Sequence, residues 1–274
     1  MSSQAQRVAR FRALHERPGA FVIPNPWDVG TAKLLASAGF EALATTSLGF
    51  ANTLGRVDGV GAVTRDEVIA HCRTLAEATD LPLNADLENC YADAPKEAAE
   101  TIAMAADAGV AGASIEDSTG DAKNPIYDFR FAVERVAAAV EAAHARPVPI
   151  LLTARAENYL HGRPDLDDTV KRLLAFAEAG ADVLYAPGLR DLATIRHVAA
   201  AVPRPINVVM SAADPTITLA ALAEAGVKRV SIGGALSRLA LAAVMRAARE
   251  MREGGFTWVR DTMPASDLKA IFAE

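Results

Sequence analysis

Three short apolar runs end in carboxylates: Leu81-Pro-Leu-Asn-Ala-Asp86-Leu-Glu88, Gly112-Ala-Ser-Ile-Glu116-Asp117 and Leu151-Leu-Thr-Ala-Arg155-Ala-Glu157. The first two contain no cation. Like charges at the carboxyl ends of neighbouring strands repel unless protons or a divalent ion compensate them, so the pattern points to a hard metal held by oxygens. Residues two apart on a strand project to the same side, which aims Asp86 and Glu88 into one space. Asp28 and Asp214 are read instead as helix caps.

Placing such side chains together requires a parallel sheet. A helical run ending in Ala-Gly, followed by a short apolar stretch, recurs at Ala38-Gly39, Ala108-Gly109, Ala179-Gly180 and Ala225-Gly226. Glycine closes the last helical turn in the left-handed conformation and lets the chain reverse into a strand. Eight β-type runs are expected at 21–24, 42–46, 82–86, 112–115, 150–154, 183–185, 206–209 and 229–232. Helical patterns separate nearly all of them. Eight alternating units across most of 274 residues fit a closed (β/α)8 TIM barrel, spanning 1–274 as a single domain, better than an open sheet. Helices are expected before the first strand (4–16) and after the last (239–253). The charged runs 134–146 and 244–252 are expected to be solvated helical faces.

Composition excludes several classes. At 51% hydrophobic the chain can bury a large core, and a net charge of −6 offers no basic stripe for nucleic acid or anionic membrane. No uncharged apolar stretch approaches the roughly 20 residues that span a bilayer. Cys72 and Cys90 cannot form a disulfide framework, and the first twelve residues lack an apolar h-region, so a cytoplasmic location is expected.

Four segments together carry a resemblance: Thr46-Ser-Leu-Gly-Phe-Ala-Asn-Thr-Leu-Gly-Arg-Val-Asp58-Gly59, Asp86-Leu-Glu88-Asn-Cys-Tyr-Ala-Asp93, Ser114-Ile-Glu-Asp117 and Thr153-Ala-Arg-Ala-Glu157. In that order, over about 21–234, the chain resembles the isocitrate lyase/phosphoenolpyruvate mutase superfamily. The resemblance implies a (β/α)8 barrel whose C-terminal helix is exchanged between subunits, giving a homo-oligomer, a dimer or tetramer, with 239–253 as the swapped helix or next to it. It implies Mg²⁺, with Mn²⁺ as the alternative, on Asp86. The superfamily's Asp-Ala-Asp-Thr-Gly-Tyr-Gly aligns on residues 86–92, so Glu88 stands where a second aspartate is usual; Asp58 and Glu116 match the remaining acids.

The same resemblance makes the substrate a small carboxylic acid, bound by Arg155, by the backbone amides of Ser47, Leu48 and Gly49, and by Asn207. It implies an enolate formed by breaking or rearranging a C–C or P–C bond beside a 2-oxo or enolpyruvate-type acid. The loop after the fourth strand, 118–129, decides which group moves, and Lys123, Asn124 and Tyr127 are its catalytic candidates, with Lys123 or Tyr127 as proton donor. Isocitrate and 2-methylisocitrate lyases carry Lys-(Lys/Arg)-Cys-Gly-His in this loop. No cysteine or Gly-His pair occurs here. The chain is thus closer to the phosphoenolpyruvate mutase branch than to a standard isocitrate lyase. Phosphonopyruvate hydrolysis, oxaloacetate cleavage and non-catalytic acid binding stay open. Cys90 and Cys72 are read as packing residues, His161 as a solvent-facing loop residue, and Trp27 and Asn25 as a possible border of the pocket.

Overall fold

Helix α1 (Gln4–Glu16) precedes strand β1 (Phe21–Ile23) and α2 (Val29–Ser37). After β2 (Leu43–Ala44) come α3 (Ser47–Thr53) and α4 (Arg65–Ala78), then β3 (Leu83–Ala85), α5 (Pro95–Asp107), β4 (Gly112–Glu116) and α6 (Phe129–His144). The alternation continues through β5 (Leu151–Arg155), α7 (Leu166–Glu178), β6 (Val183–Tyr185), α8 (Leu192–Ala201), β7 (Ile206–Val209), α9 (Leu219–Glu224) and β8 (Arg229–Ser231). Helix α10 (Ala235–Arg252), a 3₁₀ turn (Thr257–Asp261) and α11 (Ala265–Phe272) follow. This computed structural model describes residues 2–273; Met1 and Glu274, the ends of the expected 1–274 domain, lie outside them.

All eight expected strands are present and parallel, in the order β1-β8-β7-β6-β5-β4-β3-β2. The result is a nearly closed (β/α)8 barrel. Between β1 and β2 a backbone bond bridges the gap, the Ala44 amide donating to Pro24 O at 3.0 Å. The Asn25 side chain adds a staple there: Nδ2 donates to Thr45 O at 2.8 Å, and Oδ1 accepts from the Ile232 and Gly233 amides at 3.0 and 2.9 Å.

Local chemistry explains the element ends. The four Ala-Gly turns are left-handed, with φ from 86° at Gly39 to 103° at Gly180. Asp28 caps α2 as expected, accepting from the Thr31 amide at 2.7 Å. Asp214 does not cap a helix. It accepts from Thr216 N and Oγ1 in a local turn, and Thr218 caps α9 instead. Helix α1 plugs the bottom of the barrel, where Phe11, His15 and Phe21 meet edge to face. A Cβ on Gly112 would sit 2.8 Å from the Phe11 ring, so this close seat needs glycine.

The second charged run, 244–252, is solvated as expected, whereas the first, 134–146, holds a buried cation. Arg135 on α6 is 1% exposed, and its guanidinium reaches back to the backbone oxygens of Asn89, Ala92 and Asp93. That loop holds left-handed Glu88, Cys90 and Tyr91, so its carbonyls turn inward and need a donor. On α10 the apolar side chains Leu239, Val244 and Met245 are exposed. Among the described residues no helix is long and apolar enough to cross a membrane.

Candidate active site

The carboxyl ends of the strands converge on Arg155, the last residue of β5. Its Nη1 donates to Asp86 Oδ1 at 3.0 Å and forms an ion pair with Glu116 Oε1 at 2.8 Å, and its Nε donates to Glu157 Oε1 at 2.7 Å. Its guanidinium lies over the Tyr185 ring, 4.7 Å from the centroid. Burial opposes the Arg155 charge, but Glu116, Glu157 and Asp86 outweigh it and raise its pKa. One cation thus faces three acids. Burial and the neighbouring acids raise both Glu116 and Glu157, in each case against the pull of Arg155.

Two further acids face the same space without a cation. Glu88 accepts from Tyr91 OH at 3.1 Å and is lifted to about 7, first by burial and then by Asp58, Asp86 and Glu116. Asp58 accepts from Ser47 Oγ at 3.4 Å and is raised by burial and by Asp86. A divalent cation would reverse these shifts. Among the described residues no three Asp, Glu, His or Cys side chains close into a ready cage. The acids that face the cavities, Asp58, Asp86, Glu88 and Glu116, offer only oxygen donors, the kind a hard ion such as Mg²⁺ takes.

The remaining expected site residues divide. Ser47 and Leu48 line a cavity of about 230 Å³ with Asp58, Asp86, Arg155 and Asn207. The Ser47 amide is engaged by Asp86 Oδ2 at 3.1 Å, and the Gly49 amide by Thr46 Oγ1 at 3.3 Å, in the cap of α3. Gly49 packs against Thr46 and Trp27, where a Cβ would come within 2.5 and 2.9 Å of their side chains. Asn207 is buried, donating to Ser231 Oγ at 3.0 Å and accepting from Arg229 Nε at 2.8 Å.

Loop 118–129 folds on itself as a small hairpin, with Ser118 bridged to Ile126. Ser118, Thr119 and Gly120 reach an outer cavity shared with Glu88, Glu116 and His161. Lys123 and Asn124 stand exposed at the tip. Tyr127 is buried, with its hydroxyl bonded to Asp93 and its ring 4.4 Å from the Arg135 guanidinium. Cys90 is fully buried and its thiol is pushed up to about 12 by burial, which fits a packing role.

A profile of the phosphoenolpyruvate phosphomutase family matches residues 11–252. The chain belongs to that family. A candidate lyase/mutase from Burkholderia cenocepacia J2315 is 56% identical, with a TM-score of 0.96 over 99% of this chain and 97% of that one. An uncharacterized protein of Mycobacterium tuberculosis, strain H37Rv, is 33% identical over 95% of each chain. The 2-methylisocitrate lyase of Escherichia coli K12 is 30% identical over 76% of this family member and 72% of its own length. The wider superfamily resemblance therefore holds, and lyases and mutases are its enzymes.

Asp117, one of the acids in the expected metal-binding run, is instead a support for this cluster. Asp117 Oδ1 accepts from the Glu157 amide at 2.8 Å, and Arg172 holds its other oxygen at 3.1 Å. Arg229 lies in the barrel interior, and strand parity with Ser231 was the signal that could have found it.

Proposed function

We propose that the chain is a Mg²⁺-dependent lyase or mutase that cleaves or rearranges a C–C or P–C bond beside a small 2-oxo or enolpyruvate-type acid, through an enolate. The carrying observation is the convergence of Asp86 and Glu116 on Arg155 at the strand ends, with the unpaired acids Asp58 and Glu88 facing the same space. Asp86 would hold the ion directly and the other three acids through water, with Mn²⁺ as the alternative metal. When bound, such an ion stabilises negative charge developing on the 2-oxo oxygen.

The chain's own residues bind and orient. Arg155 Nη2 bonds no carboxylate among the described residues, so it is the nitrogen left for the substrate's acid group. Tyr185 stacks against that guanidinium and fixes its plane. The Leu48 amide is the one of its trio not engaged by Asp86 or Thr46, and it offers a donor to the same acid. Loop 118–129 closes over the mouth, hinged at left-handed Gly120, and brings Lys123 and Asn124 to the transferred group. In this assignment Tyr127 anchors the loop through Asp93. The exposed Leu239, Val244 and Met245 on α10 support a homo-oligomer built through that helix.

Turnover of phosphonopyruvate, oxaloacetate, 2-methylisocitrate and dialkylmalates with Mg²⁺ tests the reading. One of these acids is expected to react, and Asp86→Ala to abolish both reaction and Mg²⁺ binding. Binding without turnover of any of them would leave a non-catalytic acid-binding barrel. Full activity in Asp86→Ala would remove the metal.

A further inference from the structure

Arg229 carries a charge that nothing around it neutralises. It is 4% exposed and lines the floor of the 230 Å³ cavity. Its Nε donates to Asn207 Oδ1 at 2.8 Å and its Nη2 crosses to Thr153 Oγ1 at 3.1 Å, both neutral acceptors. Its Nη1 is shielded from bulk water and has no partner. Among the described residues no carboxylate forms an ion pair with it. A buried cation without a counter-charge is expensive to hold, and a ligand anion offsets that cost directly.

Its placement says which anion. Glu116, Arg155, Tyr185, Asn207 and Arg229 stand in one register row across β4 to β8, so their side chains project to the same face of the sheet, the barrel interior. Arg155 and Arg229 therefore bracket the cavity from the rim and from the floor. Arg155 is surrounded by acids and Arg229 by none. Burial, with a contribution from Arg155, lowers the Arg229 pKa to about 9, which still leaves it charged at neutral pH. Two of its five N–H donors are committed, and the single charge that remains uncompensated matches one carboxylate rather than a phosphonate that carries up to two charges.

We infer that Arg229 is a second acid-recognition residue, which selects dicarboxylic substrates by receiving the carboxylate distal to the reacting carbon. This rests on the reading of the cavity as the 2-oxo acid site and narrows it to C–C chemistry on a diacid.

Malate and lactate share a 2-hydroxy acid head and differ in the distal carboxylate, so their binding to the Mg²⁺-loaded protein isolates this contact. Calorimetry on the wild type should show malate binding more tightly. Arg229→Met should weaken malate by roughly tenfold to a hundredfold, the range for a lost charged hydrogen bond, and leave lactate unchanged. Arg229→Lys keeps the charge and should fall between, which covers the case in which the methionine variant does not fold. Equal losses for both acids, or no loss for either, overturn the inference and leave the site reading intact. If the wild type binds neither acid, the site reading falls and the inference with it. If formate stabilises the wild type and not Arg229→Met, while malate and lactate bind alike, the pocket holds a free anion and the substrate assignment is wrong.

Discussion

Arg172 Nη1 donates to Asp117 Oδ2 at 3.1 Å, and the Asp117 carboxylate is closed to solvent. The same nitrogen donates to Tyr127 O at 3.0 Å, and Nε holds Asp168 at 2.7 Å. The pair thus ties the end of β4, the active-site loop and α7 to the Glu157 backbone. Removing one partner strands the other's charge. Arg172→Ala is expected to cost about 3–5 kcal/mol in urea unfolding, because it leaves a buried carboxylate uncompensated. Asp117→Asn should cost less, since the amide oxygen still accepts.

The acids at the cavity predict how stability follows pH. Folding raises Glu88 from 4.5 to about 7, and raises Glu116 and Glu157 as well. The folded state then binds more protons than the unfolded one, so stability falls as pH rises through this window. Buried His15, lowered to about 3, and His71, lowered to about 4, act in the opposite direction below their unfolded value of about 6.5. From roughly pH 6.5 to 8 the acids act without that opposition. Thermal midpoints in EDTA should drop across that range, and Mg²⁺ should remove most of the drop. A midpoint that rises with pH in EDTA would contradict the assignment.

Cys90 tests the distinction between a packed thiol and a nucleophile. With its thiol at about 12 and its sulfur buried, the native protein should resist iodoacetamide at Cys90. Cys90→Ala should keep its activity and lose about 1–2 kcal/mol of stability from the small cavity left behind.

Lys123 and Asn124 separate a loop that closes from one that stays folded back. Both side chains are exposed, so alanine at either should change stability by no more than about 0.5 kcal/mol. If the hairpin closes during turnover, each substitution lowers kcat, with KM less affected. Unchanged kcat in both would leave the loop outside the chemistry.

Much of this architecture was readable before any coordinates. The β-type runs gave all eight strands because each is short and apolar, and four of them, β2, β4, β6 and β8, follow an Ala-Gly turn whose glycine is left-handed. The shared carboxyl ends of parallel strands brought Asp86, Glu116 and Arg155 to one rim, whereas Glu88 reaches the space from a left-handed loop position beyond β3 and not by strand parity with Asp86. Arg135 and Arg172 were hidden because a cation at helical spacing looks the same whether it meets water or a distant backbone carbonyl. Whether loop 118–129 folds as a hairpin rests on contacts such as Thr119 N to Pro125 O, which no local pattern encodes. Asp214 was misplaced for a related reason: aspartate favours Asx turns as much as helix starts, and the true cap came four residues later.

Asn25 lines the cavity, as expected of a pocket border, and its amide also holds β1 beside β2 and β8. Seven of the neighbouring strand pairs are joined by ladders, and the eighth, β1 with β2, by the Ala44 amide on Pro24 O and by this side chain. The cylinder therefore has a zip. The residues beside that seam, Thr45 to Leu48, line the acid-binding cavity. A single amide thus fastens the seam and borders the cavity at once.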